Sequence, residues 1–311
     1  MQMIRVTLRP LTAFGTPLLG EILFGQLCWA VRRLEGEQRL VELLEGYGEG
    51  QPFAVLSDAM PEGFVPLPSI PGFFWQNDDG ERRKYLKKKT WIPVDALGED
   101  PFTWQETACS DEEVCVGGLR SERTVMHNSI NRLTGTTGKG AFAPFMQPQT
   151  WLNGCQPLSV YVVIDEGRFT ATKLLDALNY MGQAGFGRDA SIGLGKFEVD
   201  REVEEINEQP AGRTYLTLAS SVLSAVPDLV KAETFYRTKT HFGRHGEFLA
   251  LTGSPFKYPI MLAAAGAVVT TEAPCTLSMI GCGLSGVSAA QPEAVHQGYS
   301  PVLPMNGLRQ G

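Results

Sequence analysis

Two strand–helix–strand runs, held apart by a long irregular stretch, constrain this chain more than any other feature. In the first run Ile4, Val6 and Leu8 alternate with Arg5, Thr7 and Arg9 up to Pro10, the period-2 pattern of a half-buried strand. Thr16-Pro17 then offers an N-cap residue followed by proline at the first helical position. Leu19, Leu23, Leu27, Ala30 and Leu34 recur at helical spacing until Gly36. Gly20 and Gly25 lie inside that helix, where each costs about 1 kcal/mol and so marks close packing or a ligand. Phe53-Ala54-Val55-Leu56 is the second strand. The second run opens with LSVYVVI, Leu158 to Ile164. A helix from Thr170 to Met181 follows, with Leu174, Leu175, Leu178 and Met181 on one face, and then a short strand from Phe197 to Val199.

The order β-α-β, insertion, β-α-β is that of a ferredoxin-like or RRM-like unit. It predicts an α+β chain whose first domain covers residues 1–205, with an insertion at about 62–157. Arg201 to Gln209 is a charged spacer, and residues 206–311 form a second, strand-rich domain. Strands there are expected at Thr214–Leu218, Thr234–Thr240, within Tyr258–Thr271 and at Leu277–Ile280, with an extended tail from Gln297 to Pro304.

Between the second helix and the last strand of the first domain lies LNYMGQAGFGRDASIGLGKF, Leu178 to Phe197. Gly185, Gly187, Gly193 and Gly195 let backbone approach backbone, and Arg188 and Lys196 add charge. Such a loop suits a polyanion laid on main-chain N–H groups; it equally suits a plain glycine-rich turn. The dinucleotide fingerprint is imitated here but in the wrong order, helix before strand.

The insertion holds two basic clusters. Arg82, Arg83, Lys84, Lys87, Lys88 and Lys89 mix with Tyr85 and Trp91, as on a nucleic-acid surface or a solvated charged loop beside Asp78, Asp79 and Glu81. Arg120, Arg123, His127, Asn128, Arg132 and Lys139 form the second. Its segment RLTGTTGKG, Arg132 to Gly140, resembles a hairpin tip and fails the P-loop pattern because Gly140 follows Lys139. A third cluster, Arg237, Lys239, His241, Arg244, His245 and Lys257, lies in the second half. Asp58 after the second strand reads as a turn residue or a metal ligand, the former being the commoner role. His127, in a basic region, reads either as a general base for RNA cleavage or as an RNA or structural contact.

The 311 residues carry a net charge of −7, which disfavours a free-standing nucleic-acid binder and leaves room for local basic patches. Six cysteines without a CxxC pair suit free thiols in a reducing cytoplasm, and neither a signal peptide nor a membrane span is read.

Several stretches read together: EILFGQLCWA (21–30), PFAVLSDAMP (52–61), HNSINRLTG (127–135), the glycine loop, FGRHG (242–246) and GYSPVLP (298–304). In that order, over nearly the whole chain, they resemble the RAMP superfamily subunit of type III-A (Csm) CRISPR effector complexes that holds the 5′ end of the crRNA. Glu21 stands where that pattern has aspartate, keeping the charge. The resemblance implies two tandem RRM-like domains and a cytoplasmic, non-catalytic subunit without cofactor or metal. It implies contacts with the crRNA 5′ handle, target RNA near the handle junction, a large polymerase-like signalling subunit and a backbone RAMP subunit. A β-hairpin thumb would span about Gly135 to Phe145. RNA contacts would come from Phe24, Gly25, His127, Asn128, Arg132, Thr134, Lys139, Gly185, Gly187, Arg188, Gly193, Gly195 and Lys196. They would continue through Arg237, Lys239, His241, Arg244, His245 and Lys257, with Lys87, Lys88 and Lys89 outlying. The competing expectations are a metal-independent crRNA-processing endoribonuclease with His127 as base, and a protein-only scaffold.

Overall fold

The computed structural model describes residues 1–74, 84–154, 156–206, 209–246, 249–250 and 255–308. Arg82 and Arg83 of the first basic cluster, their acidic neighbours Asp78, Asp79 and Glu81, and Gly253 and Ser254 lie outside the described residues.

The first half builds an antiparallel sheet from β1 (Gln2–Pro10), β2 (Ala54–Leu56), β3 (Met60–Pro61), β8 (Leu158–Ile164), β9 (Phe197–Val199) and β10 (Glu204–Ile206). β9 and β10 pair with β1, β1 with β8, and β8 with β2 and β3. Counted within the two β-α-β runs, the order is fourth, first, third, second, the ferredoxin-like arrangement. Part of the charged spacer is thus an edge strand, with Arg5 opposite Glu204. Helices α1 (Gly20–Glu35), α2 (Glu37–Leu44) and α3 (Ala171–Ala184) complete the unit. Every residue of β8 is buried, which is why its sequence is a continuous apolar run.

The two long helices are capped in different ways. Thr170 caps α3, its hydroxyl accepting from Lys173 N at 3.3 Å. α1 begins at Gly20, past the Thr16-Pro17 signal, and Leu19 makes no side-chain cap. The cap comes from elsewhere: Asp58 Oδ1 accepts from Gly20 N at 2.8 Å. Gly20 is a packing glycine, since a Cβ there would sit 2.4 Å from Leu56 O.

Inside the insertion, β4 (Phe64–Pro66) pairs with β5 (Trp91–Pro93), and Trp104 is fully buried with its indole N–H on Ala96 O at 2.8 Å. β6 (Arg120–His127) and β7 (Phe145–Leu152) form a long two-stranded hairpin, paired from Arg120↔Leu152 to His127↔Phe145. The thumb expected at Gly135 to Phe145 is therefore the tip of a larger hairpin.

The second half contains β11 (Gly212–Thr217), β12 (Thr238–His241), β13 (Ile260–Ala263), β14 (Val268–Cys275), β15 (Met279–Leu284) and β16 (His296–Met305). Its four-stranded sheet runs β14-β11-β16-β15, and β12-β13 form a separate pair. A second RRM-like unit is not what this order describes. Among the described residues no α-helix crosses this sheet; the connections form 3₁₀ turns such as Leu223–Ala225 and Lys231–Glu233.

The halves share one core. Leu216, Leu218, Val268, Tyr299, Leu303 and Met305 join the cluster built on β1, β8, α1 and α3. Phe24 stacks on Tyr47 at 4.6 Å between ring centroids, and Tyr47 meets Tyr299 edge-on at 5.4 Å. Gln297 is fully buried and closes the edge of β2, accepting from Leu56 N (2.9 Å) and donating to Leu56 O (2.7 Å). Cys28, Cys109, Cys275 and Cys282 are free thiols, whereas Cys115 is disulfide-bonded, against the expectation of free thiols throughout. Among the described residues no helix is long and apolar enough to cross a membrane.

Candidate nucleic-acid interface

The glycine loop folds back on the segment that follows β1. Gly195 N donates to Ala13 O (2.7 Å), Leu11 N to Lys196 O (2.8 Å), Lys196 N to Thr12 Oγ1 (2.9 Å) and Arg188 N to Thr16 Oγ1 (2.9 Å). Phe186 plugs the loop from below, fully buried and tilted against Phe14. Gly185, Gly187, Gly193 and Gly195 all take positive φ, between 73° and 97°. A Cβ at Gly195 would lie 2.1 Å from Phe186 O, one at Gly187 2.5 Å from Thr16 Cβ, and one at Gly185 2.6 Å from Leu194 O; at Gly193 it would meet nothing within 4 Å. Three of the four glycines thus serve the chain's own packing.

This corrects the phosphate-cradle expectation. The N–H groups of Gly185, Phe186, Arg188, Gly193, Leu194, Gly195 and Lys196 already donate inside the protein. A nest needs them aimed outward. What the loop offers an anion is its exposed rim, headed by the Arg188 side chain.

The loop's second role is to root the hairpin. Phe14 and Thr150 exchange backbone hydrogen bonds at 2.8 and 2.9 Å, Arg188 donates to Pro148 O at 2.9 Å, and Gln147 donates to Asp189. Arg188 also pairs with Asp189 at 3.1 Å. The two segments that sequence reading treated separately are one construction. Beyond it Asn128, Arg132, Thr134 and Lys139 are all exposed on the tip, where Leu133 is 96% exposed and Ile130 59%. Asn131 shapes the turn, its side chain accepting from Leu133 N and its backbone pairing with Thr136. His127 stacks on Phe145, with its Nε2 buried and without a hydrogen-bond partner.

Other expected contacts are spent internally. Phe24 is 1% exposed and belongs to the aromatic core, so no base reaches its face. Lys89 is buried against Glu113 at 2.7 Å and Tyr85 at 2.8 Å, while Lys87 and Lys88 remain exposed. His245 is buried on Ser288 at 2.7 Å.

Lys239 and His241 turn inward onto α1. Lys239 Nζ donates to Glu21 Oε1 at 2.7 Å and to Ser220 at 3.1 Å, and His241 Nδ1 lies 3.5 Å from the same carboxylate. Glu21 is fully buried at its side chain, and its Oε2 has no hydrogen-bond partner. One and two turns on along the same helix face come Gly25, exposed with open space where a Cβ would be, and Trp29, whose indole would lie 2.7 Å from a Cβ at Gly246. The α1 face therefore grips the 239–246 segment at two points and leaves a gap at Gly25. Burial pushes His296, packed 4.9 Å from His241, down to about 3, and it stays neutral.

Burial, reinforced by the Glu21 charge, raises Asp58 to about 7. The folded state then holds a proton that the unfolded chain has lost above its ordinary value of 3.8, so this group's contribution to stability falls as pH rises from about 4 to about 7. Asp58→Asn keeps an oxygen for Gly20 N and removes the ionisation. Its melting temperature relative to the unaltered protein is expected to rise across that window; an offset independent of pH would contradict this assignment. Among the described residues no group of three or more His, Cys, Asp or Glu is placed to hold a metal ion.

No protein-family model matches the chain, and no curated relative matches it. Solved structures match it along its whole length. A chain of the Csm1-Csm4 cassette in complex with pppApA is 17% identical over 100% of both chains, with a TM-score of 0.59, and the same values hold for the cassette in complex with AMPPNP. A chain of the Csm3-Csm4 subcomplex in the type III-A CRISPR-Cas interference complex is 15% identical over 97% of this chain and 99% of that one, with a TM-score of 0.57. The fold is thus a mixed α+β fold shared with chains of those Csm assemblies. Csm4 is the component that those two assemblies have in common.

Proposed function

We propose that this chain is the Csm4-type subunit of a type III-A CRISPR effector complex. It holds the 5′ handle of the crRNA, joins the large polymerase-like signalling subunit to the first backbone RAMP subunit, and catalyses nothing itself. The observation that carries this reading is the end-to-end likeness to chains of two assemblies that share Csm4. The site supports it: a hairpin rooted on the glycine loop by Arg188 and Gln147 ends in an exposed tip where Ile130 and Leu133 stand among Arg132 and Lys139. Apolar residues flanked by cations suit a thumb that displaces one nucleotide at the handle–guide junction, with target RNA passing beside it. Residues 1–205, with the insertion at about 62–157, are the RRM-like domain that bears this thumb. Residues 206–311 form the second domain, which sets β12 against α1. The net charge of −7 fits a cytoplasmic subunit whose surface mostly meets protein.

Charge reversal at Arg132 and Arg188 tests the RNA contact. Complexes purified with Arg132→Glu or Arg188→Glu are expected to carry at least about tenfold less crRNA at moderate salt, because each reversal removes a phosphate partner and adds repulsion. Unchanged crRNA content in both would refute the contact. The endoribonuclease alternative has one observation behind it, the unpartnered Nε2 of His127. Cleavage of repeat RNA in EDTA, lost in His127→Ala, would establish it; the proposed function expects no cleavage.

A further inference from the structure

β12 has two faces of different character. Residues directly opposite in an antiparallel pair share a face. Lys239 lies opposite Leu262 and His241 opposite Ile260, and this face turns inward, with Leu262 2% exposed. Thr240 lies opposite Met261, which is 73% exposed, so the other face turns to solvent at this end of the pair, whereas Ala263, opposite Thr238, is 5% exposed. Continuing the alternation, that outer face presents Tyr236, Thr238, Thr240 and Phe242, with Tyr236 50% and Phe242 65% exposed. The register shifts by one residue at the bridge between Arg244 and Phe256, so Phe256 shares the face of Phe242 and Arg244, with Tyr258 two residues on, at 64% and 55% exposed. Arg244 stands over the Phe256 ring at 5.9 Å. Residues 234–246 and 255–263 contain no carboxylate, in a chain that is acidic overall, while Arg237, Arg244 and Lys257 occur among them.

We propose that this outer face is a stacking platform for single-stranded RNA, with bases laid on Phe242, Tyr236 and Tyr258 and phosphates met by Arg244. The proposal rests on the RNA-binding reading above and adds to it a surface of different chemistry, on the β12–β13 pair and not on the β6–β7 hairpin. Exposed aromatic rings carry the stacking, threonines leave room between them, and the lack of carboxylates within these two segments admits a polyanion.

The test uses the full chain and a 5′-fluorescein-labelled 12-nucleotide single-stranded RNA of mixed sequence, titrated at several salt concentrations. Phe242→Ala and Tyr258→Ala are each expected to weaken binding about tenfold while leaving the slope of log affinity against log salt unchanged, since stacking releases no counterions. Phe242→Trp should restore affinity, and Arg244→Ala should lower the slope. Alanine variants that bind as tightly as the unaltered chain would overturn the platform while leaving the hairpin reading intact. So would variants that keep RNA in the assembled complex but lose a protein subunit, which would make the face a protein interface. An unaltered chain that binds no RNA would overturn both.

Discussion

Gly195→Ala is expected to cost about 3 kcal/mol or more and to lower the melting temperature by about 5 °C or more, whereas Gly193→Ala costs about 1 kcal/mol. Both glycines take positive φ, 73° and 97°, so both substitutions pay the left-handed penalty. Only at Gly195 does the new methyl meet backbone, 2.1 Å from Phe186 O and 2.6 Å from Phe186 N. The loop must shift to admit it, and Gly195 N loses its bond to Ala13 O. Because the hairpin is rooted in this loop, Gly195→Ala should also release crRNA from the assembled complex, while Gly193→Ala should not. Thermal melting of the two variants side by side, with crRNA content read on the same samples, checks both parts. Equal destabilisation would mean that the loop is not packed as described.

Lys239→Met is the second large effect. It strands the Glu21 carboxylate, whose side chain is fully buried and whose other oxygen already lacks a partner, within reach of the Asp58 charge. Breaking such a pair costs about 3–5 kcal/mol, toward the lower end here because the lysine is 28% exposed and partly screened. The double variant Glu21→Gln, Lys239→Met removes both charges and should recover most of the loss. A double-mutant cycle by denaturant unfolding reads the coupling directly. A coupling within about 0.5 kcal/mol of zero would show that the bridge does not join β12 to α1.

The strands and the second long helix of the first half are legible because their signals are local. LSVYVVI can be little but a doubly buried strand, and it forms β8 with the expected bounds, Leu158–Ile164. Thr170 caps the helix that it precedes. The start of α1 was not legible, because its cap, Asp58, lies 38 residues away in sequence. β6 hid for another reason: it is a solvated ribbon, largely exposed, without the alternation that burial on one face imposes.

At the candidate site, cations were easy to find and their direction was not. Arg237, Lys239 and His241 alternate with Tyr236, Thr238, Thr240 and Phe242, and the alternation does not say which parity faces solvent; Leu262, buried opposite Lys239, does. Charge alone points to these side chains as the binding face, yet Lys239 and His241 turn to Glu21. Likewise the glycines read as a nest. Their spacing reports backbone freedom and says nothing of whether the N–H groups point out or in.

The most direct test of the central claim is an affinity pull-down of this chain from its native host, with co-purifying proteins identified by mass spectrometry and the 5′ ends of bound RNA sequenced. A Csm4-type role predicts RNAs that share one repeat-derived 5′ end, together with a large polymerase-like subunit and a backbone RAMP subunit. A chain recovered alone, or with RNA of random 5′ ends, would contradict it.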